Sequence, residues 1–281
     1  MKRSINEVYR YLKTKKCTHG TAIQFIDGIL PVILGIKTSY LVDCIILDQL
    51  FIQSFLDFLS YPSVRAIYFS EPINQTFFIN IGCWKEYVKR RELWPIVVNL
   101  PHKVRNEQLE QHLTLYADTL LHLKTNQNMI TVQVPDFTWN FKNPPVDSNL
   151  EEVCSITALT GCLLNYAATY HFLSNHESHE NGLSKEPLNI YRIVAVFDKC
   201  NIYLAPFLQF SCPIKFEQQT AMIVEQLTCT YQKRWNRLTV KEKSIWKEWI
   251  KFRFPKHALG NVENISWKTH VEIHTEPSVV L

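Results

Sequence analysis

Residues 153–173 carry no Asp, Glu, Lys or Arg. A stretch this long without formal charge is either buried in a core or embedded in a lipid bilayer. Its polar residues, Ser155, Thr157, Thr160, Asn165, Thr169 and His171, make it too polar for a membrane span. We therefore expect a buried core helix over 153–173, opened by a capping box at Ser148 and Glu151. A polar loop, 174–182, and an apolar strand, 188–197, follow it. The other apolar run, 22–36, contains Asp27, Pro31 and two glycines and is too short to cross a membrane. No transmembrane segment is expected.

The remaining periodicities place helices and strands around that core. Helical spacing marks 5–12, 22–34, 49–59, 84–91, 106–124, 216–235 and 239–252. Asp48 caps the third of these, with Leu50, Ile52, Phe55, Leu56 and Leu59 expected to face inward. Thr239 and Glu242 form a capping box for the last. Strands are expected at 40–47, 64–70, 76–81, 95–100, 129–134, 188–197 and 202–210, with hairpins joining 64–81 and 188–210. Residues 265–274 alternate as a half-buried strand with no sequence-adjacent partner, so it must pair with a distant one. This alternation predicts an α/β (mixed α+β) fold: one domain over 1–281, with a mixed twisted sheet and helices packed against it. The loop 136–148, with Pro144-Pro145, is the best place for a subdomain boundary.

Composition excludes several classes. Only seven glycines are present, with no G-x-G-x-x-G and no G-x-x-x-x-G-K-[ST], so neither familiar nucleotide site is expected. The eight cysteines form no C-x-x-C pair, and no secretory signal precedes them. Thiols kept reduced, in the cytoplasm or nucleus, are the expectation. No G-x-S-x-G and no Cys–His pairing supports nucleophilic catalysis.

Candidate chemistry is sparse. Asp43, inside an apolar run, must be paired or sit at the mouth of a crevice. Asp136, beside Phe137 and Trp139, invites the same two readings. His176 and His179, near His171, have metal-compatible spacing, and His270 and His274 project from one face of a strand. A polar loop and the solvent face of an edge strand explain both groups without a metal, so no cofactor and no stoichiometric zinc are expected. Charge is concentrated: residues 233–257 hold nine Lys or Arg against Glu242 and Glu248. Lys233, Arg234, Arg237, Lys247, Lys251 and Arg253, interleaved with Trp246 and Trp249, suit weak attraction to a nucleic acid or an anionic membrane surface. Their helical spacing equally fits a core face flanked by solvated cations.

Ala158-Leu-Thr-Gly161-Cys-Leu-Leu-Asn-Tyr166-Ala-Ala-Thr-Tyr170, then Asn181-Gly-Leu-Ser-Lys-Glu-Pro187-Leu, resembles an uncharacterised animal family carrying a domain of unknown function. The human member of that family is known only by an open-reading-frame label on chromosome 1. Gly35-Ile-Lys-Thr-Ser-Tyr-Leu-Val-Asp43 and Phe210-Ser-Cys-Pro213 resemble it too. The resemblance implies one domain over most of the chain and brings no activity, cofactor or catalytic residue.

A non-enzymatic intracellular binding or scaffold protein with an unidentified protein partner is the leading expectation. The alternative is a hydrolase or transferase with a pocket around Asp43. A deep pocket holding Asp43 with a histidine from another segment would favour the enzyme, and a filled core around Asp43 the binding protein.

Overall fold

The computed structural model describes residues 4–71, 73–100, 104–122, 128–132, 138–140, 153–172, 187–197, 202–203, 207–254 and 265–274. Helix α1 (Ile5–Thr14) starts with a capping box: the Glu7 N–H donates to Ser4 Oγ, and the Ser4 N–H donates to the Glu7 carboxylate. Helix α2 (His19–Ile33) is capped by Thr18 and carries Pro31 in its last turn. A Schellman motif closes α2. Gly35 sits at φ +68°, its N–H donates to the Val32 carbonyl, and the Ile36 N–H donates to the Pro31 carbonyl. The chain then reverses as β1 (Ser39–Val42), which runs back along α2. The Lys37 N–H reaches the Pro31 carbonyl, the Tyr40 ring covers Gly28, and Cys44 Sγ lies 3.9 Å from the Thr21 carbonyl.

Asp48 caps α3 (Gln49–Leu59), as expected, by accepting from the Phe51 N–H at 2.6 Å. Strands β2 (Val64–Phe69) and β3 (Gln75–Asn80) form the expected hairpin. Helix α4 (Ile81–Lys89) leads to β4 (Ile96–Leu100) and the short β5 (Val104–Arg105). Helix α5 (Glu107–His122) follows, then β6 (Met129–Val132), β7 (Thr138–Asn140) and β8 (Val153–Ser155). Next come α6 (Ile156–Leu163), β9 (Ala168–Phe172), β10 (Leu188–Phe197), β11 (Ile202–Tyr203) and β12 (Leu208–Pro213). Helices α7 (Glu217–Arg237) and α8 (Val240–Arg253) and strand β13 (Ile265–His274) complete the order.

The fold is mixed α/β. One sheet has the order β1-β3-β2-β6, with β6 parallel to β2 and the other pairs antiparallel. A second joins β5, β4 and β9, with β9 parallel to β4. In the third, β10 pairs along its whole length with β13 on one edge and with β12 and β11 on the other. The distant partner required by residues 265–274 is thus β10. Buried residues from every α-helix join one apolar cluster.

Three expectations need correction. The helix expected over 153–173 is, across the described residues 153–172, a strand, a two-turn helix and a second strand. Asn165 decides this. It adopts φ 57° just past α6, its N–H donates to the Cys162 carbonyl, and the Tyr166 N–H donates to the Gly161 carbonyl. This is a second Schellman motif, with asparagine in the left-handed position. The following strand pairs in parallel, and its residues 168–171 are buried, which needs no alternation of polarity. Gly161 permits the close approach, because a Cβ there would run into the Thr169 side chain. Second, the strand expected over 40–47 stops at Val42. Its partner β3 runs only one residue, Gln75, past the Thr76 opposite Val42, so at most one further pair could form and the ladder ends at Val42. Third, Leu50 does not face inward: it is 83% exposed in the first turn of α3.

Candidate functional site

The two Schellman motifs turn the chain at one place. Beyond Gly35 come Lys37, Tyr40, Leu41 and Asp43; either side of Asn165 lie Leu164 and Tyr166. All six line a cavity of about 720 Å³. Its long wall is one face of α2, where Gly20, Ile23, Gln24, Asp27 and Pro31 recur at helical spacing. Trp246, Trp249 and Arg253 of α8 face it, and Phe207, Leu208 and Gln209 at the start of β12 close the side. Phe207 belongs to an aromatic cluster beneath, 4.3 Å from Trp267 edge-on and 5.7 Å from Trp246 between ring centroids. The wall is thereby backed by packed core rather than by loop.

The polar groups differ in how well they are compensated. Asp27 accepts the Trp249 indole N–H at 2.8 Å and lies 3.3 Å from the Arg253 guanidinium. Burial raises its pKa, while the Trp249 hydrogen bond and Arg253 oppose that shift. His19, in the first turn of α2, shares a 2.8 Å hydrogen bond between Nδ1 and the Tyr9 hydroxyl, which sets the direction of its ring. Lys37 is half-buried as a residue. Among the described residues its ammonium has neither a hydrogen-bond acceptor nor an ion-pair partner. Burial lowers its pKa to about 8, against the weaker opposing pull of the Asp43 carboxylate. The same carboxylate helps push the Tyr166 hydroxyl up to about 12, after burial.

Asp43 is exposed and stands one residue past β1, at the cavity rim. It is not enclosed in a filled core, and a histidine from another segment, His19, shares its cavity. Asp136, His176 and His179 lie outside the described residues. His171 is buried in β9, away from the cavity lining, with its pKa lowered by burial. His270 is exposed on β13, and Glu272 beside it pairs with Arg192 at 2.6 Å. His274 ends the same strand. Among the described residues no three His, Cys, Asp or Glu side chains come together to hold a metal ion.

The basic segment is divided by the fold. Trp246, Trp249, Ile245 and Ile250 are buried, so the aromatics of α8 serve the core. Arg234 is 6% exposed and its guanidinium is used internally, by Glu86, Thr38 and the carbonyls of Ile36 and Cys83. Arg253 is directed to Asp27 and the cavity. Lys233, Arg237 and Lys251 are exposed and Lys247 is half-buried. Sequence reasoning passed over His19, Asp27 and Lys37 as site residues. The signal in the sequence was a lysine two residues past a helix-ending glycine, between the apolar runs 29–36 and 40–42, the lysine counterpart of the argument that singled out Asp43.

Among the described residues no helix is long and apolar enough to cross a membrane. No solved structure matches the chain. A protein of Schizosaccharomyces pombe (strain 972 / ATCC 24843), itself named only as uncharacterized, is 38% identical over 282 residues, covering all of both chains. The relative is fungal, so the similarity is not confined to animal sequences. The model of a domain of unknown function, DUF4504, matches residues 9–252, which span all the cavity's α2, β1, α6–β9 and β12 walls and end within α8. The chain belongs to the DUF4504 family.

Proposed function

We propose that this protein binds a small organic molecule in the cavity between α2, β1 and α8. One observation carries the reading. A cavity of about 720 Å³, within the size range of small-molecule sites, is walled by apolar and aromatic side chains and receives a few charged groups from distant segments. Its walls are helix and strand faces, which hold a ligand in a defined place. Among the described residues six cysteines are free, four of them buried, which supports a reducing compartment, cytoplasm or nucleus, for the protein. The test is a thermal-shift screen of a small-metabolite panel against wild type and Leu41→Trp, which narrows the cavity. Compounds that stabilise wild type and not the variant support the reading. A panel that never distinguishes the two sinks it.

A second reading is favoured by His19 and Asp43 lining the same cavity. A ring oriented by the Tyr9 hydroxyl and a solvated carboxylate are the components of general acid–base chemistry, as a hydrolase or transferase would need. Turnover of any ester, amide or phosphoester substrate that is lost in both His19→Ala and Asp43→Asn would favour it over binding alone.

A further inference from the structure

We propose that Lys37 is the anion anchor of this cavity and that the ligand is a monocarboxylate with an apolar or aromatic body. The inference rests on the small-molecule reading above and names the ligand class for that site. The charges of the cavity are unequally matched. Asp27 and Arg253 are 3.3 Å apart and compensate each other. Lys37 has no such partner among the described residues, and its stem opens on the same cavity. A half-buried ammonium without hydrogen-bond acceptors is costly, because the solvent it has lost is not replaced. A bound carboxylate supplies the missing acceptors in a charge-assisted hydrogen bond.

The backbone that carries Lys37 is fixed by its neighbours. The Lys37 N–H is tied to the Pro31 carbonyl at 3.1 Å. On either side, Arg234 donates to the Ile36 carbonyl at 3.0 Å and the Thr38 hydroxyl at 3.3 Å. The root of the side chain is thus held at the cavity wall when the cavity is empty, and binding need order only the stem and its ammonium. The body of the ligand then lies against Tyr166, Phe207 and Trp246. Carboxylate is favoured over phosphate by charge. Lys37 lacks a contacting carboxylate and can meet one negative charge directly, whereas the second charge of a phosphomonoester would add to the repulsion from Asp43 and Asp27 on the same cavity.

Three probes sharing one aromatic body test this: 2-naphthoate, 2-naphthamide and 2-naphthyl phosphate, titrated into the full chain by calorimetry. We expect 2-naphthoate to bind about tenfold or more tighter than the amide, as a charge-assisted hydrogen bond predicts. The phosphate should bind more weakly than the carboxylate, and Asp43→Asn should narrow that gap. In Lys37→Met the carboxylate should lose its advantage and bind like the amide, whose retained binding shows that the cavity is intact. If carboxylate and amide bind wild type alike, or the preference survives in Lys37→Met, the Lys37 assignment is overturned while the cavity reading stands. Preference for the phosphate overturns the monocarboxylate assignment. If none of the three probes binds, the Lys37 assignment falls; the metabolite screen, which does not depend on charge, then decides the cavity reading separately.

Discussion

The guanidinium of Arg234 donates to the backbone carbonyl of Ile36, 198 residues away, at 3.0 Å. The same side chain reaches Thr38, Cys83 and Glu86, so one residue of α7 joins the end of α2, the start of β1 and α4. Arg234→Met would leave the buried Ile36 carbonyl without this donor, at about 1–3 kcal/mol, and the Cys83 carbonyl with only its helical partner. We expect the urea midpoint to fall accordingly. Arg234→Lys should recover only part of it, because one ammonium cannot span a fork of carbonyls and a carboxylate. Unchanged midpoints in both variants would remove Arg234 from the framework.

Lys37 gives a pH prediction with a definite sign. Its pKa is about 8 in the folded chain, below its ordinary 10.5. Between those values the unfolded chain binds more protons, so this group adds stability as pH rises from 8 to 10.5. Below pH 8 both states are protonated and the cost of the desolvated ammonium is present in full. Lys37→Met should therefore be more stable than wild type at pH 7, by about 1–3 kcal/mol. The difference should shrink as pH climbs toward 10.5. Denaturant titrations of both proteins at about pH 7 and about pH 9.5, on either side of the folded-state pKa, read it directly.

Gly28 faces the ring of Tyr40, which lies where a Cβ would be built. Gly28→Ala must displace that ring toward the cavity, with an overpacking cost of about 1–3 kcal/mol. Tyr40→Ala removes the clash, so the double variant should lose less stability than the two single losses added. Strict additivity would show that the two residues do not meet in solution.

Leu163 is fully buried at the end of α6, ahead of the Asn165 turn. Leu163→Asp places a carboxylate in the core and should abolish soluble expression, whereas Leu163→Met should preserve it. Soluble, cooperatively folding Leu163→Asp would mean that α6 is not core.

We expect the chain to behave as one domain. Strand β4 pairs with β9, and Trp249 with Asp27, across the segment 136–148. A protease site engineered between Asn143 and Asp147 should yield two fragments that co-elute under native conditions and unfold in one transition. Fragments that separate and remain folded would establish two domains.

Local chemistry was legible where a capping side chain or a period of two announces itself. Asp48 and the Thr239–Glu242 box start helices because their side chains accept the first free N–H groups. The alternation of 265–274 and the hairpin of β2 and β3 follow from a period of two. Apolarity of 153–173 established burial but not conformation, since a buried parallel strand and a buried helix are equally uncharged; one left-handed asparagine made the choice. Asp43 and Lys37 could be named as conspicuous charges in apolar surroundings, yet nothing in their spacing placed them with His19 or Trp249. Arg234 and Trp249 read as members of a basic-aromatic surface by composition, and packing turned both inward. A charge or an aromatic ring in a sequence has a type but no environment. The environment that decides between surface, core and cavity is assembled from segments that meet only when the chain is folded.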